Sequence, residues 1–202
     1  KKQFASKVLI QPRRGVIYDR NGEALAISVE APSLAANPQK IVEKKKTARE
    51  LGRILGISSE GIYKKLKSNR DFVWIKRHIG DELASKVPPT EGLWLVKENQ
   101  RVYPLGEVAS HTIGDVNIDL AGLEGVELWK NEQLQGKIIS VRATKDALGR
   151  PAFIDAVAAS EIQNGEAVHL TLDAGLQYSV ERELKKSITD TGARSGSVII
   201  MD

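Results

Sequence analysis

Between Arg13 and Ala26 the chain reads RRGVIYDRNGEALA, and this stretch restricts the possible folds more tightly than any other. Val16, Ile17 and Tyr18 form a short β-branched and aromatic run, Asn21-Gly22 supplies a two-residue turn, and Leu25, Ala26 and Ile27 resume the apolar pattern. The pattern predicts a β-hairpin. A type I′ turn needs positive φ at both central positions, which glycine takes without steric cost and asparagine tolerates. Charge crowds the same hairpin through Arg13, Arg14, Asp19, Arg20 and Glu23, while Gly15 lets the backbone bend or come close to a neighbour. Taken by itself, such a hairpin reads equally well as a solvated surface feature.

The charge balance sets aside a nucleic-acid role. Thirty Lys and Arg against twenty-six Asp and Glu leave a formal charge of +4. The signs are interspersed rather than concentrated on one reading element. Lys44-Lys45-Lys46 is the local exception, most simply the wet face of a helix. With no cysteine, neither a disulfide framework nor a thiolate metal site is possible. The 202 residues, 41% hydrophobic and 28% charged, are those of an ordinary globular chain, long enough for one domain or two modest ones. No apolar run is long enough to span a bilayer and no signal peptide opens the sequence, so if a parent protein has a membrane anchor, it is expected upstream of Lys1.

Along the chain, Lys1 to Gln11 reads as an extended lead-in whose Val8, Leu9 and Ile10 can pair in a sheet. Ser28 to Ala36 continues extended. Asn37-Pro38 then marks a helix start, with Ile41, Ala48, Leu51 and Leu55 at helical spacing and Gly56 as the stop. A short helix from Ser58, a strand over Phe72 to His78 and a helix capped by Asp81 and stopped by Pro88-Pro89 complete a small helical insertion at about 37–89. Strand character returns over Leu93 to Tyr103, followed by a short helix from Glu107 to Ile113 and the glycine-punctuated turn DLAGLEG at 119–125. A helix carrying Val126, Trp129 and Leu134 ends at Gly136. Ile138 to Thr144 and Ala152 to Ala158 predict a hairpin turning at Asp146 to Arg150, and Ala167 to Leu172 a further strand. Asp173 caps a helix in which Leu176, Val180, Leu184 and Ile188 repeat along one stripe. The sequence closes on an apolar run, Gly196 to Met201, read as a strand without a partner. The fold class is therefore α+β, a mixed β framework with hairpins and a small helical insertion.

Chemistry is conspicuously missing from this inventory. His78, His111 and His169 lie far apart without ligand spacing and read as structural or surface groups, so no metal or other cofactor is expected. No G-x-S-x-G, Walker A or dinucleotide fingerprint occurs. Glu124 and Glu127 are placed for acid–base work only if a pocket surrounds them; otherwise a structural ion pair is the simpler role.

Four motifs in order, RRGVIYDRNGEALA at 13–26, RVYPLGEVASHTIGDVN at 101–117, GLEGVELWKNEQLQG at 122–136 and LTLDAGLQYSVERELKK at 170–186, resemble class B penicillin-binding proteins. The resemblance covers nearly the whole chain and is weakest over the helical insertion. It implies the non-catalytic N-terminal pedestal or dimerisation module, an elongated element standing between a membrane anchor and a transpeptidase domain. The lysine-free turn from Gly122 to Glu127 is closer to the cell-division branch than to the elongation branch. On this resemblance residues 1–195 are the pedestal and 196–202 the first strand of a transpeptidase domain. The family's S-x-x-K, S-x-N and K-T/S-G signatures are absent, Lys46-Thr47-Ala48 being the nearest approach, so the fragment itself is expected to be no enzyme. Its partners would be its own transpeptidase domain, a membrane glycosyltransferase and division regulators, on the periplasmic face of the inner membrane. As a fragment it is expected to be a monomer or weak dimer.

The residues implied as the interdomain or structural motif are Arg14, Gly15, Asp19, Arg20, Asn21 and Gly22 from the hairpin; Arg101, Tyr103, Pro104 and Gly106; and Gly122, Glu124, Gly125 and Glu127. Because a guanidinium fork matches a carboxylate in paired fashion, one or both of Arg14 and Arg20 are expected to pair with Glu124 and Glu127, near Glu107, with Asp19 completing the network. Two other classes remain open on sequence alone. One is a stand-alone glycan- or peptide-binding module using the hairpin charges with Trp74, Trp94 and Trp129. The other is a hydrolase using Glu124 or Glu127.

Overall fold

The computed structural model describes residues 5–10, 12–137, 139–145, 151–154 and 163–201. In it the hairpin forms, with a different turn. Strand β1 (Ala5–Ile10) is followed by β2 (Ile17–Tyr18), which pairs antiparallel with the start of β3 (Ala24–Ala36), Ile17 opposite Ala26 and Tyr18 opposite Ala24. Gly22 has φ 85°, yet Asn21 is not in the left-handed region, so the turn is not type I′. Asp19 is the reason. Its carboxylate accepts the backbone N–H groups of Asn21 and Glu23, both at 2.8 Å, and its carbonyl accepts that of Gly22 at 3.3 Å. An aspartate that binds its own downstream backbone makes a longer loop with a single left-handed residue.

Two compact units emerge, each assembled from three separate segments. The first takes Lys1–Gln11, Val29–Gln100 and Ile138–Ile162; the second takes Pro12–Ser28, Arg101–Lys137 and Gln163–Asp202. Together their elements bear out the α+β class.

In the first unit, the end of β3 pairs antiparallel with β4 (Val73–Lys76), and β5 (Leu93–Val102) also pairs with β3. Helices α1 (Lys44–Leu55) and α2 (Ser59–Leu66) bury Ala48, Leu51, Leu55, Ile62 and Leu66 against Leu34, Ala36, Val73 and Ile75. The short helix α3 (Asp81–Ser85) adds Ala84. Helix α1 starts six residues later than Asn37-Pro38 predicts, at Lys44 instead of Pro38. Asn37 accepts the Gln39 N–H on its side chain at 3.0 Å and donates its own N–H to the Gly92 carbonyl at 2.7 Å, closing a turn instead of capping a helix. Gly56 does end α1 in the left-handed conformation, φ 63°, and Lys76 Nζ donates to the Leu55 carbonyl at 2.9 Å. Arg77 grips Glu98 with two hydrogen bonds, 2.7 and 3.0 Å, and lies over the Trp74 ring. Phe72 meets Trp74 edge-on and tilts against Trp94. Strands β6 (Ile139–Lys145) and β7 (Pro151–Ile154) form the expected hairpin, whose turn lies outside the described residues, and β1 pairs with β6 on its other edge.

The second unit holds β2, the start of β3 and β8 (Val168–His169), which runs parallel to β2 with Ile17 opposite Val168. Its helices are α4 (Ser110–Ile113), α5 (Gly125–Trp129), α6 (Asn131–Gln135) and α7 (Ala174–Thr191). The helix expected from Val126 to Gly136 is thus two short ones, broken at Lys130. Ile17, Leu25, Ala26, Val108, Ile113, Val126, Leu134, Val168 and Ala174 make the core. Helix α7 is capped by Asp173, which accepts the Leu176 N–H at 2.9 Å. Gly196 lies against Leu184 and Ile188 of its apolar stripe. Residues 196–201 have no strand ladder among the described residues and are exposed, because a strand exists only where a neighbour supplies hydrogen bonds. Among the described residues no helix is long and apolar enough to cross a membrane.

Candidate functional site

The second unit buries two arginine side chains around one carboxylate. Glu127 sits in the middle of α5, where Val126 and Glu127 face inward and Leu128 and Trp129 face out. Arg14 Nε donates to Glu127 Oε2 at 2.6 Å and Arg101 Nε donates to Glu127 Oε1 at 2.7 Å, so each carboxylate oxygen has its own guanidinium. The side chains of Arg14 and Glu127 are wholly shielded from solvent, and that of Arg101 is 1% exposed.

All but one of the remaining guanidinium nitrogens find backbone or side-chain oxygens. Arg14 Nη2 donates to the Glu127 carbonyl at 2.7 Å, and Nη1 to the Leu120 carbonyl and to Asn131 Oδ1, both at 2.9 Å. Arg101 Nη1 donates to the Gly15 carbonyl at 2.7 Å and, at 3.4 Å, to Ser28 Oγ, whose hydroxyl donates to the Arg14 carbonyl. Asn131 Oδ1 also accepts the Gly122 N–H at 2.9 Å, which ties the glycine turn to the same knot. Burying charge is tolerable only when it is paired and its hydrogen-bonding capacity is used. Arg101 is the less satisfied member, with Nη2 buried and without a hydrogen-bond partner. Burial presses its guanidinium below the ordinary range, and Glu127 pulls it back.

Glycines let the backbones meet. A Cβ on Gly122 would run into the Glu127 carbonyl, and one on Gly15 into that of Glu166. Gly15 N–H donates to the Leu134 carbonyl at 2.7 Å and Gly165 N–H to that of Arg13 at 2.8 Å, so three distant segments are stitched at one crossing. Gly125, with φ 59°, packs against Gly114.

Of the expected charge pairs, Arg14 with Glu127 is the one the structure brings together. Arg20 and Glu124 are both exposed, and among the described residues neither forms an ion pair. The backbone of Arg20, rather than its side chain, is used, its N–H donating to the Leu172 carbonyl at 2.8 Å. Glu107 is exposed as well. Asp19 belongs elsewhere: buried, it accepts the Ala174 N–H at 3.1 Å beside its two loop bonds and so joins the hairpin to the start of α7. Asn21 reaches Asp173 at 3.1 Å. Tyr103 donates to Asp115 Oδ1 at 3.3 Å, its phenol pushed up by burial and then by Glu127 and Asp115. Pro104 and Gly106 lie in an exposed turn that Gly106 closes with φ 63°.

Arg101 as the second partner of Glu127, and Asn131 and Ser28 as ligands of the knot, were not legible as such. Asn131 lies four residues after Glu127, the spacing that shares a helix face, and that was the available signal.

Residues 9–170 match the family model of the penicillin-binding protein dimerisation domain. The chain belongs to this family. The dimerisation domain is 31% identical over 189 residues to Stage V sporulation protein D of Bacillus subtilis, covering 91% of this chain and 29% of that protein. It is also 31% identical over 195 residues to the probable peptidoglycan D,D-transpeptidase PenA of Neisseria gonorrhoeae, covering 94% of this chain and 34% of the relative. The chain thus spans about a third of the length of the curated relatives it matches. Among solved structures, it superposes on that of the complex between PBP2 and MreC from Helicobacter pylori with a TM-score of 0.68 at 20% identity, covering 91% of this chain and 39% of that one. The resemblance to class B penicillin-binding proteins drawn from the four motifs is borne out.

Acid titration reads out the Asp19 junction of the dimerisation domain. Its carboxyl is held below the usual 3.8, first by the Ala174 N–H and then by those of Glu23 and Asn21, against the opposing effect of burial. Asp173 is lowered likewise, first by the Leu176 N–H. A depressed folded-state value stabilises the fold above the unfolded carboxylate range and is lost as pH falls through the folded one. Stability to urea should therefore drop as the pH is taken below about 4. The Asp19→Asn variant should be weaker at neutral pH and show a shallower acid decline; an unchanged acid slope would contradict this role for Asp19.

Proposed function

We propose that the chain is the non-catalytic N-terminal module of a membrane-anchored peptidoglycan D,D-transpeptidase of the cell-division branch, holding the catalytic domain in place and offering surfaces to partner proteins. The observation that carries this reading is the state of Glu127. Both its oxygens are occupied by arginines and it is sealed from solvent, so no substrate atom has access to them. Glu124, the other candidate acid, is exposed. The chemistry of a hydrolase has no foothold there, whereas a buried double ion pair that ties the hairpin to the 101–131 segments suits a load-transmitting support. Residues 1–195 form the support on this reading, and 196–202 begin the transpeptidase domain, whose neighbouring strands would supply the ladder that the terminal run lacks. Its other partners would be a membrane glycosyltransferase and division regulators, at the periplasmic face of the inner membrane.

A fluorescent penicillin is expected to leave the purified chain unlabelled, because acylation needs a serine activated by a base beside an oxyanion site. A labelled band at the mass of the chain, blocked by unlabelled penicillin, would overturn the assignment. Light scattering at micromolar concentration is expected to give a monomer or a weak dimer, the exposed apolar run at 198–201 being short. A tight dimer at that concentration would contradict it.

A further inference from the structure

The exposed face of α1 is arranged against its own electrostatics. The helix opens on Lys44, Lys45 and Lys46 with no acidic residue in its first turn and no side-chain cap, although the free N–H groups there already carry positive charge. Lys45, Arg49 and Arg53 then follow four residues apart along one exposed row, where like charges repel. Lys46 is neutralised by Glu43 at 2.9 Å. Among the described residues Lys45, Arg49 and Arg53 form no ion pair; Lys45 lies 5.9 Å from the centre of the Tyr63 ring. The row borders an open groove of about 820 Å³ that also takes in Glu50, Tyr63 and Val42, whose side chain is left uncovered with the residue 93% exposed.

We propose that this groove docks an acidic peptide segment of a partner protein, bound in extended conformation with carboxylates at alternate positions and an apolar side chain against Val42 and Tyr63. Residues four apart on a helix rise by about 6 Å. Alternate residues of a strand stand about 6.7 Å apart, so successive carboxylates meet successive cations. Charge complementarity relieves the repulsion along the row. A phosphate polymer fits less well, because it has nothing to set against the apolar side chains of Val42 and Tyr63. The inference is independent of the transpeptidase reading.

The test uses the whole chain and a labelled peptide, Val-Thr-Glu-Thr-Glu-Thr-Glu, whose valine and glutamates share one face of an extended chain, with its glutamine counterpart, inorganic polyphosphate and phosphatidylglycerol vesicles as competitors. Fluorescence anisotropy should show saturable binding of the glutamate peptide, at least about tenfold tighter than its glutamine counterpart. That binding should weaken as salt shortens the screening length below about 10 Å. The R49E/R53E double variant should lose at least about tenfold while keeping its circular dichroism, since both positions are exposed. Val42→Ser should lose a smaller share, and amide NMR shifts should cluster over 42–53 and at Tyr63. Equal binding of the two peptides, undiminished binding by R49E/R53E, absence of binding, or displacement by polyphosphate or vesicles more effective than by unlabelled peptide would each overturn the proposal.

Discussion

Glu127→Ala should cost about 3 to 5 kcal/mol of unfolding free energy, because the substitution leaves two buried guanidinium groups facing each other without their shared counter-charge. Arg14→Ala should cost less, since Glu127 would keep Arg101 while the fold loses the bond to Glu127 Oε2 and those to Leu120, Asn131 and the Glu127 backbone. The pair should be strongly non-additive in a double-mutant cycle read by urea unfolding. By contrast, cycles on Arg20 with Glu127 and on Arg14 with Glu124 should be additive within about 0.5 kcal/mol, because one partner of each is exposed and they do not meet. Additivity of Arg14 with Glu127 would mean that the buried pair does not exist in solution. A hydrophobic replacement of all three charges is a separate question, as a well-packed apolar trio can equal a buried ionic one in stability.

Gly165→Ala is the second large effect. The glycine has an ordinary φ, so backbone conformation is not what excludes a side chain there. A Cβ would overlap the carbonyl of Leu134 and crowd the Gly15 N–H, both backbone atoms that cannot rotate away. The expected cost is about 3 kcal/mol, the upper end of what overpacking imposes. Gly175→Ala, in the first turn of α7, is the matched control. Its Cβ would meet only Asp173 Oδ1 at 3.6 Å, so it should be neutral or stabilise by up to about 1 kcal/mol. Equal losses in the two variants would show that general helix or loop effects, not the crossing, dominate.

Local rules account for what could be read in the sequence. The hairpin, the left-handed Gly56 stop, the Asp173 cap and the β6–β7 pairing all follow from residues close together in the chain, and each formed. Where reading failed, a distant partner had outbid the local signal. Asn37 looked like a helix cap, but Gly92 takes its N–H, 55 positions on. Asp19 looked like part of an arginine network, but the Ala174 N–H and its own loop claim its carboxylate. The sequence also offers two arginines and two glutamates at plausible spacing without saying which are inside. Burial chose Arg14 over Arg20 and Glu127 over Glu124, and burial depends on the packing of Val126 and Leu134 in the core. Arg101 and Ser28 were invisible as members of the knot because nothing about a single arginine or serine distinguishes a buried partner from a surface residue, and Asn131 was signalled only by its spacing from Glu127.

The stitching of Arg13 to residues 164 and 165 sets a timetable for the chain. The Arg13 N–H is held by the Asn164 side chain 151 residues downstream. At synthesis rates of about 5 to 20 residues per second, roughly 8 to 30 s separate the appearance of one partner from that of the other. Until then the Gly165 N–H that meets the Arg13 carbonyl and the strand Val168–His169 that pairs with Ile17–Tyr18 are missing. The second unit is therefore complete only once residues 164 to 170 have been made, whatever part of it has formed before them.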